Sequence, residues 1–302
     1  MSLILLQGAV EQGFIYGLVA LALYISYRVL NIADLTTDGT FVLGCAVSAA
    51  FTTAGHPIFG LLVGFFAGMA AGFVTAFLHT QMKMQAILAG IVTMTGLYTI
   101  NLWVMGGRAD VPLLKVDTVF SLSKGLFGAA YASLIVVALI TCVVGAAVVL
   151  FFKTQLGLSI RATGDNPQMV AASSINPAVT ITVGLCLANG CTALAGAVLA
   201  QYQMSSSISL GTGVVVIGLA SLIIGEVVVR FGGVFAGVLG AVVGSVVYRV
   251  LMAFALRASA NPANLKLISA VIVAVVISWP VLCAKIRLAR RRAANKKGAG
   301  QC

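Results

Sequence analysis

An all-α, polytopic membrane helix bundle is the fold class predicted for this chain, and three observations predict it. The 302 residues are 61% hydrophobic and only 8% charged, too little polar surface for an aqueous fold. Apolar stretches approaching the ~20 residues of a spanning helix recur at 10–29, 39–54, 57–78, 86–105, 128–152, 178–201, 212–229, 233–256 and 264–284, about nine spans within a range of eight to ten. Polar breaks precede the second and seventh of these spans, which predicts broken helices arranged as two inverted repeats.

The first span follows MSLILLQGAVEQGF, which has no basic n-region and no clear small-residue cleavage site, so it is expected to be retained. Asn31, Asp34, Thr36, Thr37 and Asp38 then stand before a second span that is short for a full crossing. Two readings stay open for them. They form an ordinary polar surface turn, or they line a translocation path at membrane depth, where irregular backbone is tolerated only in protein or beside a cavity.

The third span carries Gly60, Gly64, Gly68 and Gly72, a glycine every fourth residue. Such a row leaves a flat strip that lets another backbone approach, and in lipid this packing replaces the hydrophobic drive. A related pattern follows the seventh span at Gly233, Gly237, Gly240 and Gly244. The break before that span, Ser205 to Gly213 with Ser207 and Thr212, parallels the break at 31–38 and is with it a candidate for the translocation path, or like it an ordinary polar surface turn. Repeat one (about 8–105) and repeat two (178–284) are therefore expected to be inverted copies joined by a linking span at 128–152, all within one transmembrane domain, 1–284.

Lys153 to Pro177 is the longest polar interruption in the second half. Leu156 to Ala162 is expected to continue the preceding helix, with Gly164 as its flexible stop. A second short helix follows, capped by Asp165 or Asn166, with Pro167 in its first turn and Gln168 to Ser174 free of breakers. The chain ends in a basic tail, 285–302, with Lys285, Arg287, Arg290, Arg291, Arg292, Lys296 and Lys297. The net charge of +11 thus reads as a membrane-edge anchor and not as a nucleic-acid footprint. The positive-inside rule puts this tail and 153–177 in the cytoplasm and the N-terminus outside.

Charges inside spans are costly and face a bundle interior or water. Glu11, Glu226 and Arg249 are such charges. Glu226 precedes Arg230 by one helical turn, which favours a structural ion pair over a proton site, and Arg249 is placed to meet an acidic group or a carboxylate in transit. Cys45, Cys142, Cys186, Cys191 and Cys283 lie in apolar runs as small hydrophobes, and neither they nor Cys302 make a metal or disulfide pattern. His56 and His79 flank the third span without metal or nucleophile partners, and Trp103 and Trp279 stand near span ends as interfacial anchors. No G-x-x-x-x-G-K-S/T phosphate loop occurs, so no ATPase site and no cofactor is expected in this chain.

Gly157, Arg161-Ala162, Gly164-Asp165-Asn166-Pro167 and Ala171-Ala172 resemble the cytoplasmic loop of ABC importer permeases of the branched-chain amino acid and ribose superfamily. The likeness extends to Gln12-Gly13 and Gly17-Leu18 and through Asn31 to Gly44. It implies a multi-pass bacterial cell-membrane protein, the transport subunit of an importer and not an enzyme. Its implied partners are a second permease copy, an extracellular binding protein and a cytoplasmic ATPase subunit that binds the ATP. Arg161, Gly164, Asp165, Asn166, Pro167 and Gln168 would then couple to that ATPase. The chain looks similar to permeases associated with tryptophan or tyrosine uptake; DLTTDG at 34–39, where branched-chain permeases carry an aromatic and a histidine, puts a branched-chain substrate in doubt. The alternative is an ion-coupled secondary transporter, for which Asp34, Asp38 and Glu226 are the available acids.

Overall fold

The computed structural model describes residues 3–114, 116–127, 131–229 and 232–258, together with 270, 271, 274, 275 and 278. Eleven α-helices are delimited among the described residues: α1 Leu3–Leu23, α2 Thr36–Thr53, α3 Pro57–Thr80, α4 Ala86–Val104, α5 Val119–Phe127, α6 Ala132–Phe151, α7 Gln155–Asp165, α8 Pro167–Ala172, α9 Pro177–Gln203, α10 Val214–Val228 and α11 Val234–Ala258. The chain divides into two compact units, 1–250 and 251–302. Of the second unit, the end of α11 and the five isolated residues are described.

Seven helical stretches among the described residues are long and apolar enough to cross a membrane. Helix α2, expected as a span, falls short of that standard because Thr36, Thr37, Asp38, Thr40 and Ser48 dilute its apolar residues. The expected span at 264–284 lies, apart from the five isolated residues, outside those described, as does the basic tail. The loop between α4 and α6 holds the short helix α5 and a strand, neither of which the sequence reading anticipated. That strand, β1 (Asp110–Pro112), pairs antiparallel with β2 (Ser205–Ser207), so a two-stranded ladder is the one exception to an all-helical architecture among the described residues.

Helix α9 is the axis. Its 27 residues span about 40 Å at 1.5 Å per residue, and 78% of its most apolar window is buried, against 33% for α3. Small residues make this possible. Gly44 of α2 lies directly on the Ala193 backbone, and Gly196 of α9 lies on the Phe41 carbonyl. Helix α3 packs antiparallel along the same axis through its glycine row. A Cβ at Gly64 would sit 3.3 Å from that of Ala197, one at Gly68 would sit 2.5 Å from the Asn189 carbonyl oxygen, and one at Gly72 would sit 2.6 Å from the Leu185 carbonyl oxygen. Gly60 faces Ser48 and Phe51 of α2 instead.

The second glycine row divides. Gly240 and Gly244 meet Gly225 and Ser221 of α10, where the two backbones cross, and Gly237 makes room for the Tyr24 ring. Gly233 does not belong to this packing: at φ 113° it forms the turn before α11, with open space around it.

One end of the bundle carries α7 and α8, the other the β1–β2 ladder. Helix α1 widens into a π-helix at Tyr24–Val29 before it reaches the α7 end. The coupling segment differs from expectation at its joint. Helix α7 starts anew at a Thr154 cap rather than continuing α6, and Gly164 lies inside it rather than stopping it. The glycine is needed for another reason: its Cα approaches the Val29 carbonyl, and an added Cβ would lie 3.1 Å from the Leu30 Cα. Asn166, not Asp165, caps α8, its Oδ1 accepting from the amides of Gln168 at 3.0 Å and Met169 at 3.1 Å, with Pro167 at the first helical position. Helix α8 stops at Ala172, and Ser174 turns at φ 62°.

Candidate translocation site

Two helices begin inside the bundle. After the π-helix the chain turns at Asn31, exposed and at φ 57°, and passes Leu30 against Gly184 of α9. It reaches Asp34 beside Asn189, near the middle of α9. Asp34 is 3% exposed. Its Oδ1 accepts from the Thr36 amide at 2.8 Å and its Oδ2 from the Asn189 side-chain amide at 2.7 Å. The Asn189 Oδ1 in turn accepts from the Thr40 hydroxyl at 2.8 Å, and the hydroxyls of Thr36 and Thr75 pair at 2.8 Å. Thr37 donates to the Asp34 carbonyl at 3.1 Å. Every one of these groups is buried, so each bond offsets a desolvation cost that an unpaired partner would leave standing.

From Asp34 helix α2 runs toward the ladder end, Ser48 donating to the Ala197 carbonyl at 3.1 Å. Beyond α9 the chain turns at Met204, pairs as β2, and folds back into the bundle. Ser207 and Thr212 mark this return: Ser207 caps a short 3-10 turn at Ile208–Gly211, and Thr212 is exposed and bonds the Ser209 carbonyl at 2.8 Å. Gly211 then touches the Asp38 carbonyl, and Gly213 adopts φ 84°. Helix α10 starts there and runs the other way, past Leu23 to Arg28 at the α7 end.

The two starts meet at Asp38. This residue lies in the first turn of α2, and its carboxylate also accepts from the amides of Gly213 at 3.1 Å and Val215 at 2.9 Å. The first turn of α2 therefore carries the carboxylate that sits at the positive end of the α10 dipole, while Asp34 accepts from the first amide of α2, and the two helices leave this point in opposite directions. Asp34, Thr36, Thr37 and Asp38 of the expected path residues come together here; Asn31, Ser207 and Thr212 stand at the turns that lead to it. Asn189, the residue that ties Asp34 to the axis, was missed by the sequence reading. Its signal was a lone amide in the middle of an apolar span.

The comparisons with known proteins agree with this architecture. The family model described as branched-chain amino acid transport system / permease component matches residues 5–278. The chain belongs to that permease family. A tyrosine transport system permease protein of Clostridioides difficile (strain R20291) is 32% identical over 87% of this permease and 86% of its own length. An uncharacterized protein of Rickettsia prowazekii (strain Madrid E) is 30% identical over 89% of this chain and 95% of its own. An autoinducer 2 import system permease protein, LsrC, of Yersinia enterocolitica serotype O:8 is 28% identical over 66% of this chain and 52% of its own. No solved structure matches. The permease is thus the membrane component of an ABC-type transport system, a class that works with ATPase and binding-protein partners.

The intramembrane charges resolve into specific contacts. Glu226 pairs with Arg28 at 2.8 Å; Arg230, its expected partner, lies outside the described residues. Arg249 meets no acid within ion-pair distance among the described residues: its guanidinium stacks 3.6 Å above the Tyr16 ring and donates to Gln12 at 3.3 Å. Glu11, 6% exposed, accepts from Tyr202 at 2.7 Å and Gln7 at 3.0 Å. At the ladder end, buried Gln201 ties α9 to Ser48, to the Pro57 carbonyl and to the Val119 amide. The described cysteines are unpaired, and no metal-binding cluster occurs among the described residues.

Proposed function

We propose that this chain is the membrane-spanning permease subunit of a bacterial importer that carries an amino acid, an aromatic one, inward at the expense of ATP hydrolysed by a separate cytoplasmic subunit. A second copy of the chain and an extracellular binding protein complete the complex. The observation that carries this reading is the meeting of two oppositely directed helix starts at Asp38. Helix N-termini attract carboxylates, and discontinuous helices with this polarity border substrate routes in transporters built from inverted repeats. An amino acid's α-carboxylate has the chemistry to replace the Asp38 carboxylate at the start of α10 as the bundle opens. The tyrosine transport relative supports the aromatic substrate.

The α7 end faces the cytoplasm in this reading, and α7–α8 receives the ATPase. Movement of α7 reaches the pathway by a short mechanical route: Gly164 bears on Val29–Leu30, Arg28 holds Glu226, and Glu226 lies on α10, whose other end rests on Asp38. Asp34 and Asp38 are already engaged by amides, which disfavours an ion-coupled carrier that needs them free.

The test is uptake of labelled L-tyrosine into vesicles holding the complete complex and its binding protein. Uptake should require ATP on the α7 side and survive a protonophore. Uptake that runs without ATP and collapses with the proton gradient would overturn the reading.

A further inference from the structure

A cavity of about 590 Å³ opens at the α7 end, lined by Tyr24, Arg28, Arg161, Asp165, Glu226 and the glycine-rich start of α11. Its size falls within the ~300–1,000 Å³ of small-molecule sites. Among the described residues the charges that line it are balanced, two guanidinium groups against two carboxylates. A polyanion such as a nucleotide meets both acids, and a simple cation meets both arginines. A zwitterion meets a partner for each of its charges.

Arg28 and Glu226 are bonded to one another, whereas Arg161 and Asp165 make no ion pair among the described residues. They stand one turn apart on α7 and both border the cavity, an unpaired cation and an unpaired anion side by side. Tyr24 supplies an aromatic wall, its ring held against Gly237, and the missing side chains at Gly233, Gly237 and Gly240 leave the facing wall flat.

We infer that this cavity is a second amino-acid site, separate from Asp38, that takes a free zwitterionic α-amino acid from the α7 side. Arg161 receives the α-carboxylate, Asp165 and Glu226 receive the ammonium, and the side chain lies between Tyr24 and the glycine wall. A ligand so held bridges α7 to α10 and the end of α1. It stiffens the joint through which α7 moves α1 and α10, so accumulated product restrains further import. The inference rests on the amino-acid permease reading and adds to it a regulatory site.

The experiment uses the intact permease–ATPase complex in lipid nanodiscs, without binding protein, and measures equilibrium binding of labelled L-tyrosine, L-leucine and L-alanine. Saturable binding of at least one is expected. Tyramine, which lacks the carboxylate, and 3-(4-hydroxyphenyl)propionate, which lacks the ammonium, should not compete with L-tyrosine. Arg161→Gln and Glu226→Gln, both on exposed positions, should each weaken binding about tenfold or more, the loss of a charge-assisted contact. Absence of saturable binding, equal competition by tyramine, or unchanged affinity in both variants overturns the site. Vesicle uptake is read in parallel. Uptake with no such binding overturns this inference alone, and absence of ATP-driven uptake for all three amino acids overturns the amino-acid reading and the inference with it.

Discussion

Asp38, in the first turn of α2, holds the start of α10 through two backbone amides, while Asp34 holds the start of α2 and reaches across to α9. Hydrogen bonds from backbone amides to an ionised carboxylate are about twice as strong as neutral ones. Asp38→Ala should therefore destabilise the purified chain by about 3 kcal/mol, because the Gly213 and Val215 amides lose their acceptor. Asp38→Asn should recover about half of that, since one oxygen still accepts while the amide group faces a donor. Melting midpoints in one detergent check this, and an alanine variant that melts with the parent contradicts it. By contrast, the Arg28–Glu226 pair, with side chains 63% and 44% exposed, adds little stability, as solvated pairs do.

Helix packing in this bundle depends on where the missing Cβ atoms are. Gly68 lies against Ala193 and the Asn189 carbonyl, whereas Gly96 of α4 has nothing within contact distance. Gly68→Ala should cost about 2 kcal/mol through overpacking. Gly96→Ala should be neutral or gain up to about 1 kcal/mol from helix propensity. Equal melting midpoints for the two would show that α3 and α9 yield where the geometry says they touch. Gly164 makes a related prediction at α7. Gly164→Ala puts a methyl group into the Val29 carbonyl, so substrate-stimulated ATP hydrolysis and uptake should fall together while membrane insertion stays at the parental level. Fractionation and ATPase assays read both quantities, and full stimulation would exclude this contact from the coupling route.

For the molecule as a whole, α9 and α1 are enclosed, whereas α3 and α4 present apolar side chains outward, with Phe66 62% and Phe73 54% exposed. In a membrane these outward faces meet lipid chains, for which apolar side chains carry no penalty. A photoactivatable lipid should label Phe59, Phe66 and Phe73 of α3 well above the stretch Ala193–Leu199 of α9. Labelling of α9 at the level of α3 would remove it from the centre.

Composition alone determined the solvent of this protein, since a chain so short of charges has no aqueous fold, and span length then fixed most helix positions to within a few residues. The Asn-Pro pair at 166–167 and the glycine row of α3 were legible because caps and close packing leave local marks. The polar break at 31–38 was legible as a break, though not as a helix start at the depth of Asn189. Three features were decided only by tertiary structure: Asp38 as acceptor for α10, Arg28 as partner of Glu226, and Gly164 as a contact rather than a stop. In each the partners lie more than a hundred residues apart along the chain, so no local pattern records them. The strand ladder has the same origin, because β1 is three residues long and becomes a strand only when the chain returning from α9 lies beside it. Short-range chemistry chose the helices and their ends; which ends meet was chosen by how small residues let the backbones pack.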